Sequence, residues 1–183
     1  MNHSLLRSGE SHQFENFWRS AWPRQGMPTS DQLDFDRLGS LRDFLIIGRY
    51  TPGMTPSMVI THVGKGITDI LNADVTGSNY FDTLGEADRS VVIRVYDALI
   101  ANPCGRWRIM RYGYEKGIQL PVDTTTFPFR DAETGAIYMG ALNIPLDDAV
   151  PAGLAGRALT TETGSMAEWL NMGQGMPHDL MLA

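Results

Sequence analysis

The chain has 183 residues, 43% of them hydrophobic, and its 15 basic side chains stand against 21 acidic ones for a net charge of −6. That apolar share is enough for a proper core, which excludes global disorder, and the acidic balance disfavours nucleic-acid and anionic-membrane partners, both of which select basic surfaces. A single cysteine, Cys104, leaves no internal disulfide framework and fits a reducing cytoplasm.

The opening residues MNHSLLRSGESHQ hold no apolar core of signal-peptide length, and no stretch reaches the length that spans a bilayer. A cytoplasmic protein with no membrane partner is expected. Residues 1–23 form a first unit. Within SHQFENFWRSAW (11–22), Phe14, Phe17, Trp18, Ala21 and Trp22 fall at i, i+3, i+4, i+7 and i+8, the spacing of one helical face, and Pro23 supplies a stop. The stripe is read in two ways that are compatible. It packs on its own domain, or Phe14, Phe17, Trp18 and Trp22 present part of it to a second subunit.

Residues 24–146 form the main domain, beginning with a Gly/Pro/Asp-rich connector over 24–42. Asp31, Asp34 and Asp36 lack the EF-hand glycine and distal glutamate and read as caps and turn residues. Two β-rich runs follow, FLIIGRY (44–50) and SMVITHV (57–63), split by the Pro-Gly turn of TPGMTP. A short helix is expected near Gly66–Leu71, then the turn Asp74-Val75-Thr76-Gly77, then a long helix over 87–101 whose Val91, Val92, Val95 and Leu99 share a face. Asn102-Pro103 ends it.

RWRIMRYGY (106–114), IQLPVDTTTFPF (118–129) and AIYMGALNI (136–144) are rich in β-branched and aromatic residues and joined by hairpin-sized, glycine-containing links. Three consecutive antiparallel strands are expected. Beyond residue 146 the segment 147–183 reads as a tail, with one short helix over 165–172. The element order predicts an α+β fold: a five-stranded antiparallel sheet with helices packed on one face, preceded by the amphipathic N-terminal helix.

That order resembles the PAS superfamily of sensor and interaction domains, and within it a group of proteobacterial PAS proteins in which the domain often stands alone. The likeness is carried by Val63-Gly64, Asp74-Val75-Thr76-Gly77, Phe127-Pro128-Phe129, Asp131 and Gly135, with Trp18 ahead of Pro28, and covers residues 14–146. Where the group usually has a basic or aromatic pattern before the Val-Gly pair, this chain has Thr61-His62. The turn residues are read as scaffold, Asp74 capping through its carboxylate and Gly77 taking a positive φ.

Chemical motifs are sparse. Gly64-Lys65-Gly66 lacks the P-loop spacing, and no G-x-G-x-x-G opens a helix. The four histidines, His3, His12, His62 and His178, lie far apart without metal-ligand spacing. No serine sits in a G-x-S-x-G elbow, and G-L-A-G over 153–156 offers no nucleophile. Haem-binding PAS domains usually take a histidine from the helix before the last three strands, and residues 87–101 contain none. Flavin-binding relatives use a cysteine within Asn-Cys-Arg-Phe-Leu-Gln, whereas Cys104 lies in Asn-Pro-Cys-Gly-Arg-Trp. Haem and flavin are disfavoured, and no cofactor or metal is identified.

What remains is a space between sheet and helices, with His62, Met110, Tyr112, Tyr114, Phe127, Leu142 and Asn143 as candidate linings. It is read either as a filled core or as a small-ligand pocket. Arg108 and Arg111 stand as pairing groups for an acidic ligand or as a solvated strand edge. The resemblance implies a non-enzymatic sensory or signal-relay module that binds a small ligand, a signalling protein, or both, and a homodimer is expected. Two rivals stand beside it. One is an enzyme in which His62, Asp123 or Tyr112 does acid–base work. The other is a filled scaffold that binds partners through its sheet edge or residues 165–172.

Overall fold

Every strand pairing in the computed structural model, which describes residues 7–146 and 158–177, is antiparallel, and the six strands lie side by side in the order β2-β1-β5-β4-β3-β6. In chain order the elements are α1 (Gly9–Ala21), β1 (Leu45–Thr51), β2 (Ser57–Val63), α2 (Lys65–Leu71), α3 (Glu86–Ala101), β3 (Gly105–Tyr114), β4 (Gln119–Arg130), β5 (Ile137–Pro145) and β6 (Ala158–Leu170). Irregular 3-10 turns fill the connector 35–44 and the span 80–83. The fold is α+β, as expected.

The β1–β2 hairpin forms one side of the sheet and the β3–β4–β5 meander the other, with β5 returning beside β1. The intervening chain must cross one face to connect them. Asp74 accepts a hydrogen bond from Thr76 N at 2.9 Å, and Gly77 adopts φ +83°, so the chain turns sharply between α2 and α3.

Alternation along the strands sorts the core into two layers. On the outer face Leu45, Trp107, Ile109, Phe127, Phe129 and Leu142 pack against Phe14 and Trp18 of α1. On the inner face Tyr50, Met58 and Met139 pack against Phe81, Val92, Val95, Tyr96 and Leu99 of the crossover. The crossover helices therefore cover one face and α1 covers the other.

α1 begins where the Ser8 side chain accepts from Ser11 N at 3.0 Å, and it ends ahead of Pro23. Its aromatic stripe is spent inside its own chain. Phe14 and Trp18 are fully buried, while Phe17 and Trp22 are half-buried against the same cluster. Phe14 and Trp18 thus form an intramolecular core and offer no subunit contact surface. A Cβ at Gly140 would stand 2.9 Å from the Trp18 ring, so a glycine is needed there for the indole to reach the sheet.

Of the segment 165–172, expected as a helix, residues 165–170 are instead the end of β6, and the sheet has a sixth strand. Met-Ala-Glu-Trp-Leu has good helix propensity, but β3 would otherwise leave a row of unpaired backbone groups at the sheet edge, and pairing overrides propensity. The expectations on His3, His178 and residues 153–156 lie outside the described residues. Among the described residues no helix is long and apolar enough to cross a membrane.

Candidate functional site

Strand parity sets what faces the crossover. Arg106, Arg108, Met110 and Tyr112 alternate along β3 and oppose Thr126, Thr124, Val122 and Leu120 of β4. Across the space stand Tyr80, from the turn before α3, and Tyr96 from α3 itself. Of these, Arg108, Met110, Tyr112, Thr124, Thr126, Tyr80 and Tyr96 line a cavity of about 40 Å³ together with Met58 and Ile60 of β2, Ile46 of β1, and Ala141 and Asn143 of β5. A second cavity of about 60 Å³ adjoins it, sharing Ile46, Ile60, Tyr80 and Tyr112 and extending past Leu71 and Val75 towards Thr160 and Thr161. At ~10–15 Å³ per water, the two hold a few waters each.

The polar part of the cavity is organised around two groups. Asn143 Oδ1 accepts from Tyr112 Oη at 3.2 Å and from Thr124 Oγ1 at 3.1 Å, while its Nδ2 donates to the Ala141 carbonyl at 3.0 Å. That amide is fixed on both sides. Arg108 is the second group, only 6% exposed, and its Nη2 donates to the Tyr80 hydroxyl at 3.3 Å. Tyr96 lines the same cavity beside that guanidinium.

Burial pushes the Tyr80, Tyr96 and Tyr112 phenols well above their ordinary range, with Arg108 pulling the other way at each. All three are therefore neutral hydroxyls at physiological pH. Among the described residues no carboxylate lies within ion-pair distance of Arg108, and no acidic side chain lines either cavity. The other residues lining the cavity at Arg108 carry no charge. Next to it Arg106 is also buried, its guanidinium 4.3 Å from the Trp169 ring centroid, with Nε and Nη1 lacking hydrogen-bond partners. Burial first, and then the neighbouring Arg108, lowers the Arg106 pKa to about 10, which leaves it charged at neutral pH.

Of the residues expected in the pocket, Met110, Tyr112 and Asn143 do line it. Tyr114 lies further along β3, packed with Leu120 and Val122, and its hydroxyl donates to the Ile70 carbonyl at 2.8 Å. Phe127 and Leu142 are corrections: both point to the outer face, into the cluster beneath α1. Their neighbours Thr126 and Ala141 take the inner positions, because one step along a strand changes the face. His62 is likewise displaced. It pairs with Ile47, whose side chain packs in the outer cluster, and burial followed by Arg42 lowers its pKa.

Asp123 also serves the outer face, accepting from Trp107 Nε1 and Ser8 N, both at 2.8 Å. His62 and Asp123 are thus separated by the sheet from Tyr112, and the acid–base trio of the enzyme rival does not converge. Arg111 is exposed on the outer face. Tyr80 and Tyr96 were missed in the sequence, and Arg108, offered there with Arg111 as a pairing group or a solvated strand edge, lines the cavity while Arg111 does not. Counting back by twos from Tyr112 reaches Arg108, so strand parity alone carried that signal.

Neither cavity approaches the several hundred Å³ that a cofactor of flavin or haem size occupies. Cys104 lines neither one and is buried in the inner core cluster.

No family model and no curated protein matches the chain. Solved structures similar to it include a light-oxygen-voltage domain studied with a flavin analogue (15% identity, 63% of this chain and 87% of that chain, TM-score 0.45). Another is the dark structure of the blue-light photoreceptor Aureochrome1 LOV (12% identity, 62% and 83%, TM-score 0.45). A third is a variant PAS-B domain of Drosophila melanogaster Cycle with bound glycerol (13% identity, 55% and 99%, TM-score 0.42).

Proposed function

We propose that this chain is a PAS-like sensory module that binds a small molecule between the inner sheet face and the α2–α3 crossover, and relays its presence to a protein partner. The observation that carries the reading is the cavity with Arg108 at its wall: a buried cation among neutral phenols is costly unless something compensates it. A filled scaffold core would place an apolar side chain there.

The size of the space sets the mechanism. A guest that fills the two cavities lies against Tyr80 and Tyr96, and so bears on the turn 80–83 and α3. Binding then shifts the balance between two positions of the crossover, which is the change a partner reads. This is a binding cycle with no chemical step.

The test is to release small molecules from the purified protein with organic solvent and identify them by chromatography and mass spectrometry, beside an Ile60→Phe variant. Ile60 lines both cavities, so the larger ring fills the shared wall. A compound enriched from the wild type and lost in the variant supports the reading. Indistinguishable extracts overturn it.

A further inference from the structure

We propose that the paired cavities form a site for a short-chain monocarboxylate of about four or five carbons, its carboxylate held by Arg108 and its chain lying between Ile46 and Ile60. This deepens the ligand-binding reading above and rests on it.

The charge of the guest follows from what surrounds Arg108. Its guanidinium is a permanent cation with several donors in a planar fork, a geometry that matches a carboxylate through two parallel hydrogen bonds. Among the described residues that fork's hydrogen bond goes to the Tyr80 hydroxyl, and no acidic side chain lines either cavity. Arg106, one alternation away on the same strand face, adds positive potential and has no carboxylate within ion-pair distance among the described residues. The Tyr80 hydroxyl accepts from Arg108 and so keeps its own proton to donate to an anion. The Tyr112 hydroxyl already donates to Asn143.

The rest of the guest follows from the opposite end. Leaving Arg108, the space runs between Ile46 and Ile60 to Leu71 and Val75, with no basic side chain along that part. A second negative charge there would meet only the neutral hydroxyls of Ser78, Thr83, Thr160 and Thr161 and no cation, which favours a single carboxylate over dicarboxylates and polyanions. The cavities of about 40 and 60 Å³ hold about seven to ten waters between them at ~10–15 Å³ each. Butyrate and valerate, with about six and seven non-hydrogen atoms, fit within that space.

The experiment titrates the full chain with sodium butyrate and sodium valerate, with their neutral amides, and with sodium chloride at matched ionic strength. Melting temperature and isothermal calorimetry are read for the wild type, Arg108→Met and Arg108→Lys. The expected result is a saturable rise in Tm with the carboxylates only, at least about tenfold weaker binding in Arg108→Lys, and loss of binding in Arg108→Met. If Arg108→Met does not fold, the Lys variant carries the comparison. Amides that bind as well as their carboxylates, or carboxylate binding unchanged in the Arg108 variants, overturn the assignment while leaving the cavity as a binding site. No response to any of these probes overturns it as well, and the extraction experiment with Ile60→Phe then decides separately whether the cavity takes a guest at all.

Discussion

Trp18 lies almost flat on Phe127, with ring centroids 5.3 Å apart and an interplanar angle of 24°. The indole is fully buried and its edge comes down on the backbone at Gly140. One ring thus joins α1 to the two central strands.

Trp18→Ala is expected to cost about 3–5 kcal/mol, the range for removing a buried aromatic. Gly140→Ala should cost about 1–3 kcal/mol, because its methyl group meets the indole. The two effects should not add: with Trp18 absent, the methyl at 140 has space and its penalty falls. Urea unfolding of the two single variants and the double variant checks this, and simple additivity would refute the contact as the cause.

Asp123 holds the start of α1 to the sheet through Ser8 N and also satisfies the Trp107 indole. Asp123→Ala leaves both donors without their acceptor and is expected to cost about 2–5 kcal/mol. Asp123→Asn keeps one acceptor oxygen and should cost less. Amide hydrogen exchange within residues 9–21 should accelerate in both variants, more in the alanine one.

Glu15 gives the pH dependence. Burial raises its pKa, but Arg7 and Arg19, which both pair with it, together outweigh burial and leave it lowered. A carboxylate whose folded pKa lies below its unfolded value adds stability above the unfolded pKa. That stability disappears as pH falls through the folded one. The wild type should therefore lose stability steadily below the ordinary value of 4.5, and Glu15→Gln should be less stable at neutral pH with a flatter acid limb. Parallel curves in guanidinium titrations from pH 7 to 3 would count against the linkage.

Arg106 is buried with two of its nitrogens unpartnered. Arg106→Met keeps much of the packing on Trp169 and removes two unpartnered buried donors, so a gain of about 1–3 kcal/mol is expected. Calorimetry of the variant would show a raised Tm; a drop would mean that the Trp169 contact outweighs the desolvation.

The Cys104 thiol is pushed up to about 12 by burial, with Arg106 opposing. Its labelling by a thiol reagent at pH 8 should be slow in the native protein and become fast in denaturant, since the thiolate is the reacting form. Fast labelling of the folded chain would contradict this burial.

Much of the fold could be read before the structure. The Pro-Gly turn, the aromatic spacing from Phe14 to Trp22 and the Asp74–Gly77 turn mark element ends by local chemistry, and the strands begin and end within a residue or two of those marks. The site was harder, for a reason visible in β4. From Leu120 to Phe129 that strand is buried on both faces apart from half-buried Pro121, so apolar and polar residues do not alternate cleanly, and Phe127 could be placed on either side. Parity needs an anchor, and Tyr112 was the available one. Tyr80 and Tyr96 reach the cavity through tertiary packing of the crossover, which no local pattern encodes. β6 was hidden by helix-forming residues whose fate depends on the free edge of β3.

The seating of α1 bears on how the chain is made. Its stripe is made before the sheet part of its seat, Phe127, Phe129, Gly140 and Leu142, which lies more than a hundred residues later; of the same cluster only nearby residues such as Phe35 and Leu38 follow soon after. At ~5–20 residues per second, those aromatics wait roughly 6–24 s without a sheet to cover them. During synthesis the connector around Phe35 is therefore the first cover this stripe can find, and the sheet completes it later.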